Sequence, residues 1–211
     1  YDVMTAKYIA EYLGVELEIV QLDWDSLIPA VQAGVVDAVI AGQSMTAERM
    51  ESVNFAGPYL YATIVCVTKN DSKYAEAKGK SELAGGICTS QSGTIWYDSC
   101  LPQIEGAQVQ SPAESAPAMI MAAASGTVDF ICTDMPTAQA AVIAYPELKI
   151  LDFAGTEDDF EVSDEDINIV VSISKENTAL CEAIDALLAT KTAEDFNTLM
   201  AKAIEIQPLS E

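Results

Sequence analysis

The sequence predicts an α/β protein with mostly parallel sheets, and three observations carry that expectation. Apolar spacing switches repeatedly between helical and strand periods along the chain. A chain of 211 residues, 50% hydrophobic and 20% charged, has a globular composition and the length to bury a core. Residues 34–44, GVVDAVIAGQS, are echoed by residues 126–136, GTVDFICTDMP, with Gly, Val and Asp recurring 92 positions later. The echo points to two similar units, although strand–turn–helix pieces of unrelated α/β proteins also look alike.

Taken in order, Val3, Met4, Ala6, Ile9, Ala10 and Leu13 fall at helical spacing over 3–13, and Gly14 is a stop signal. VELEIVQL, 15–22, alternates as a strand does. Residues 25–33 read as a helix closed by Gly34, with Pro29 near its first turn, where a proline is tolerated. VVDAVIA, 35–41, is a short apolar run of the kind found in buried parallel strands. Strands are expected again at 86–90, 107–110, 128–133 and 149–153, and helices near 94–101, 113–125 and 137–144. Two extended runs, 59–69 after a Gly57-Pro58 turn and 167–174, would link the two units. The acidic stretch 155–166 lacks the alternating ligands and central glycine of a calcium loop and reads as a solvated loop. Two helices, about 176–189 and 193–205, close the chain.

Composition excludes several functions. Thirty-three acids against ten bases give a net charge of -23, which repels nucleic-acid phosphates and anionic lipid surfaces. The absence of histidine rules out a Ser-His-Asp triad, a Cys-His pair and a histidine zinc site. The five cysteines, Cys66, Cys88, Cys100, Cys132 and Cys181, are odd in number and form no CxxC, so free thiols are expected. No apolar run reaches about 18 residues, the length a membrane span requires. No metal or cofactor is implied.

Three segments carry candidate chemistry. AGQSMTAERM, 41–50, follows an apolar strand and opens a helix, where free amides and the dipole favour an anion. Gly42 permits close backbone approach, and Ser44 and Thr46 supply hydroxyls. Arg49, the single arginine, offers a planar fork that grips a carboxylate; a surface ion pair explains it as well. In CTSQSGTIWY, 88–97, Ser92, Gly93 and Thr94 form a similar turn without a P-loop lysine, and ordinary capping is the alternative. In FICTDMP, 130–136, Asp134 ends an apolar strand, either as a helix cap or as the receiver of an ammonium group. Anion and cation clamps in two units would suit a zwitterion. The aromatics Trp24, Tyr59, Tyr61, Trp96 and Tyr97 are pocket-wall candidates that core packing explains as readily.

Together these residues resemble a known family, the solute-binding proteins of polar amino-acid ABC transporters. The resemblance is most specific over WDSLIPAVQAGVVDAVIAGQSMTAERMESVNFAGPYLYA, 24–62, where the pattern AG-x-S-x-T-x-ER stands between a strand and a Pro-Tyr pair. SQSGT at 90–94 and GTVDFICTD at 126–134 fit in order and spacing. The resemblance implies a two-lobed type II periplasmic-binding-protein fold with a hinge. Lobe one would be 1–63 plus 170–211, and lobe two 64–169, inserted. It implies that Arg49 binds an α-carboxylate with Gly42 and Ser44, that Thr94 and Gln91 close from the second lobe, and that Asp134 takes the α-ammonium. Departures are the absence of the strand and loop that usually precede the first helix, the lack of a Lys-Trp pair near the last helix, and Thr133 where some relatives place a larger polar residue.

The function expected from this resemblance is capture of a free amino acid outside the cytoplasm for an ABC permease. The captor would be a monomer rather than an enzyme, and periplasmic or lipid-anchored on the outer face of the membrane. High acidity and free thiols lean toward a Gram-positive anaerobe. The alternatives are a cyclohexadienyl dehydratase acting on prephenate or arogenate, and the sensor domain of a membrane receptor. The identity of the amino acid is left open by the sequence.

Overall fold

A computed structural model describes residues 1–206, which fall into two compact units. The first comprises Tyr1–Tyr61 and the described residues from Asp164 onward; the second comprises Ala62–Ser163. Positions 207–211, included in the expected first lobe, lie outside the described residues.

In chain order the first unit contributes α1 (Asp2–Leu13), α2 (Leu27–Gln32), β1 (Ala38–Val39), α3 (Ala47–Ser52) and β2 (Val53–Tyr61). The second contributes β3 (Ile64–Lys69), β4 (Ile87–Thr89), β5 (Gln108–Val109), α4 (Ala116–Ala124), β6 (Phe130–Asp134), α5 (Met135–Ala144) and β7 (Leu148–Asp152). The chain returns to the first unit with α6 (Asp164–Ile167), β8 (Asn168–Ser174), α7 (Thr178–Leu188) and α8 (Ala193–Ile206).

The first unit holds a three-stranded sheet ordered β1-β8-β2, antiparallel throughout. The chain leaves along β2 and comes back along β8, so the two long strands pair head to tail, from Val53 opposite Ser174 to Tyr61 opposite Asn168. Val31, Val39 and Val53 form an apolar cluster flanked by Leu27, Ile28 and Phe55. In the second unit a five-stranded sheet is ordered β5-β4-β6-β3-β7. One of its faces sends Val65, Val67 and Ile131 into a core with Met119 and Ala123 of α4 and Ala138 and Ala141 of α5.

The internal echo is visible in the backbone. Gly34 and Gly126 both adopt left-handed φ angles, 69° and 75°, at the ends of α2 and α4. Each leads four residues later into a strand, β1 or β6.

Four expectations need correction. The sheets are not mostly parallel: among the described strands the parallel pairs are β4 with β5 and β4 with β6, while β3 is antiparallel to β6 and β7 and the first unit's sheet is antiparallel. Residues 15–22 form no strand. Their alternation needs a ladder partner, and no described residue supplies one; Val15, Ile19 and Val20 stay exposed. The Gly57-Pro58 pair makes an irregularity inside β2 rather than a turn before a strand. The register shifts between Ala56 and Leu60, and the Gly57 N–H turns to Asp185 Oδ1 at 3.0 Å. The helix expected at 94–101 is a wide turn over Trp96–Cys100 followed by a 3-10 turn at Leu101–Gln103. Pro102, which lacks an N–H and crowds the preceding turn, prevents a regular helix there. Among the described residues no helix is long and apolar enough to cross a membrane.

Candidate functional site

In the first unit the loop after β1 is fixed from two sides. The Val170 N–H donates to the Gln43 carbonyl at 3.0 Å, and the Met45 N–H donates to the Asn168 carbonyl at 2.9 Å, tying the loop to β8. Gln43 is buried, and its Oε1 accepts from the Ser172 hydroxyl at 3.1 Å. Gly42 bends the chain here with φ 65°. Its N–H donates to the Tyr59 hydroxyl at 3.1 Å, and that hydroxyl donates to Asp2 Oδ1 at 3.0 Å. The Gly42 amide is therefore engaged within the protein.

Arg49 lies in α3, whose cap is Thr46; the Thr46 hydroxyl oxygen accepts from the Arg49 N–H at 3.3 Å. The guanidinium folds back, with Nη1 donating to the Ser44 carbonyl at 2.9 Å and the Trp24 ring centre 5.7 Å away. Burial pulls the guanidinium pKa down, and Glu48 opposes that shift. A half-buried guanidinium held in this way is a suitable receiver for an anion. Gly42 and Ser44 on the braced loop and Arg49 at the start of α3 are thus brought together, with the Trp24 ring against the guanidinium.

In the second unit, β4 and β6 are parallel neighbours, pairing Cys88 with Phe130 and Thr89 with Ile131. Their carboxyl ends therefore emerge side by side, which is where open α/β sheets present ligand groups. After β4 comes buried Ser90, whose hydroxyl donates to the Cys132 carbonyl at 2.6 Å and so ties the turn to β6. Gln91 bridges to Ala113, Gly93 takes φ 63°, and the Thr94 hydroxyl donates to the Gln91 carbonyl at 2.8 Å. At the end of β6, Asp134 is 7% exposed and caps α5, its Oδ1 accepting from the Thr137 N–H at 2.9 Å. Burial raises its pKa, and the Thr137 hydrogen bonds pull the other way. The cap role is real. Gln91, Thr94 and Asp134 meet at this edge of the unit. Thr133, just before Asp134, is fully buried and its hydroxyl has no hydrogen-bond partner among the described residues.

Three contributors were indistinct in the sequence. Gln43 gave no signal as a brace, because its partner Ser172 lies 129 positions away. Trp24 and Tyr59 stood out only as two aromatics among several; their contacts to Arg49 and Gly42 depend on tertiary placement.

The fold and these loops define a class. The family model of bacterial extracellular solute-binding proteins, family 3, matches residues 1–205, and the chain belongs to that family. Among its relatives, a protein named as a probable histidine-binding protein from Campylobacter jejuni is 31% identical over 150 residues. That match covers 70% of this chain and 56% of the relative, so the chain spans little more than half of that protein's length. Among solved structures, the amino-acid ABC transporter substrate-binding protein AbpA from Streptococcus pneumoniae, bound to L-arginine, has a TM-score of 0.81 at 26% identity, covering 97% of this chain and 83% of its own. An ancestral arginine-binding protein bound to arginine has a TM-score of 0.79 at 28% identity, covering 95% of this chain and 86% of its own. The two-lobed type II periplasmic-binding fold expected from the sequence is the fold of these neighbours, and family and neighbours alike are binding proteins.

Proposed function

We propose that the protein captures a free amino acid outside the cytoplasm and hands it to an ABC permease. The observation that carries this reading is the half-buried Arg49 guanidinium, held in place by the Ser44 carbonyl and the Trp24 ring. That geometry suits a fixed, two-oxygen anion better than a mobile surface partner. Arg49 takes the α-carboxylate, with Ser44 beside it. Gly42 contributes through its carbonyl or by shaping the loop, since its N–H serves Tyr59. In the second unit Asp134 keeps Oδ1 on its helix cap and offers its other oxygen to the α-ammonium, with Thr94 and Gln91 alongside. Trp24 lies flat against apolar parts of the ligand. The capture involves no covalent step and so no enzymatic activity. The protein acts as a monomer, free in the periplasm or anchored by lipid on the outer face of the membrane.

Titration calorimetry with L-arginine, L-histidine, L-glutamine and agmatine tests the carboxylate clamp. Agmatine is arginine without its carboxylate. The reading requires that at least one amino acid bind and that agmatine bind far more weakly than arginine. Equal binding of arginine and agmatine would remove Arg49 from the head-group role. Turnover of prephenate to phenylpyruvate would instead favour a dehydratase.

A further inference from the structure

The cysteines of the second unit are not scattered. Cys66 on β3 stands directly opposite Cys132 on β6 in the antiparallel ladder. The Met135 N–H donates to the Thr63 carbonyl at 2.9 Å, which makes the 63/135 pair a hydrogen-bonded one. Alternation along the ladder then makes 64/134 and 66/132 non-hydrogen-bonded pairs. The Cys132 carbonyl agrees, since it turns away from β3 to accept from Ser90. At such a pair the Cα atoms lie about 4.5 Å apart and the side chains share one face. That separation falls at the short end of the range a disulfide spans, roughly 4.4–6.8 Å. Burial pushes the Cys132 pKa up, and Cys66 and Cys100 both act on the thiol in the same direction. Cys88, on the neighbouring strand β4, lies on the same face beside Phe130. All four are fully buried.

We infer that Cys66 and Cys132 are a cross-strand disulfide site, oxidised by exchange with small-molecule disulfides met outside the cytoplasm. The family is extracellular, and that environment is where such bridges form and persist. In the exchange the Cys66 thiolate attacks the disulfide of the oxidised small thiol. One reduced small thiol leaves, and Cys66 carries a mixed disulfide. The Cys132 sulfur then attacks the Cys66 sulfur and expels the second small thiol. The two cysteine sulfurs lose two electrons, the oxidant gains them, and the two S–H protons end on the released thiols.

Burial closes all four sulfurs off from solution, and it pushes Cys88 up to about 12 and raises Cys132 as well. The bridge therefore forms during folding or on opening of the second unit. Cys181, in the first unit, instead has its sulfur against the Phe55 carbonyl at 3.3 Å and takes no part.

The test is refolding of the reduced, denatured chain in a buffer of reduced and oxidised glutathione, followed by alkylation and peptide mapping. The expected result is a native-like protein with one bridge, joining the peptides of Cys66 and Cys132, while Cys88, Cys100 and Cys181 are alkylated. Its thermal midpoint lies above that of the fully reduced protein. Cys66→Val abolishes the midpoint difference, and Cys181→Ser leaves it unchanged. Native-like wild-type protein with all five thiols alkylated overturns the inference, as does a bridge between any other pair. The wild-type peptide map decides the matter even if Cys66→Val does not fold.

Discussion

Arg49 and Asp134 are each placed by the fold, and the proposed function gives each a second job at the ligand that can be separated from the first. Each charge-assisted hydrogen bond is worth about 1.5–3 kcal/mol, so losing a two-pronged grip lowers affinity by roughly two to four orders of magnitude. Arg49→Ala is expected to show that loss by calorimetry, and Arg49→Lys a substantial part of it, because lysine keeps the charge but not the fork. Asp134→Asn is the sharper substitution. Asparagine caps a helix about as well as aspartate, so stability should change by less than about 0.5 kcal/mol. An ammonium ligand, by contrast, loses its counter-charge, and affinity should fall at least about tenfold. Loss of stability with unchanged affinity would leave Asp134 as a cap alone.

The pH dependence follows from the same carboxyl. Its pKa in the folded state is raised above 3.8 by burial. Between the unfolded value and that raised value the native state holds more protons than the unfolded state. This group's contribution to stability is therefore fully present at lower pH and lost as pH rises through the folded value. An ammonium ligand needs the ionised form, so its affinity moves the opposite way and weakens as pH falls through the same window. Calorimetry across that window should show wild-type affinity dropping on the acid side more steeply than that of Asp134→Asn. Both positions stood out in the sequence for different reasons: Arg49 as the single arginine where a helix opens, Asp134 as the end of an apolar strand, and the structure places them in α3 and at the end of β6. The engagement of the Gly42 amide by Tyr59 did not stand out, since it joins positions 17 apart on different elements.

At the scale of elements, the Gln43–Ser172 bond is what makes the first loop a fixed platform. Gln43→Ala leaves the Ser172 hydroxyl buried without its partner, a cost of about 1–3 kcal/mol in chemical denaturation. Replacing both residues, as Gln43→Leu with Ser172→Ala, should recover part of that loss, because no polar group is then stranded. A double variant as unstable as the sum of its singles would show that the bond is not what braces the loop.

Elements were legible where local signals agreed with tertiary pairing. The Gly34 stop, the Asp134 cap before α5 and the apolar run of β6 are of this kind. VELEIVQL has the right alternation and still makes no strand, since periodicity reports a face and not the presence of a neighbour. Strand direction was misjudged for a related reason. Alternating helices and strands imply parallel crossovers only when every connection stays within one sheet. Here β2 and β8 pair with each other across a long excursion of the chain.

For the molecule as a whole, a net charge of -23 sets the ligand's electrostatic context. The surrounding field favours approach of cationic over anionic solutes. Arg49 is the one arginine of the sequence, so it alone offers a planar fork to a carboxylate. The most direct test of amino-acid capture is a thermal-shift panel of the purified protein against the twenty amino acids, ornithine, citrulline and prephenate, run in parallel on Arg49→Ala. A ligand at about 100 times its dissociation constant adds about 2.7 kcal/mol, equivalent to roughly 5–11 °C in midpoint for a chain of this size. The account predicts a shift of that order for one or a few amino acids and its loss in Arg49→Ala. A protein that melts cooperatively and responds to no amino acid would contradict it.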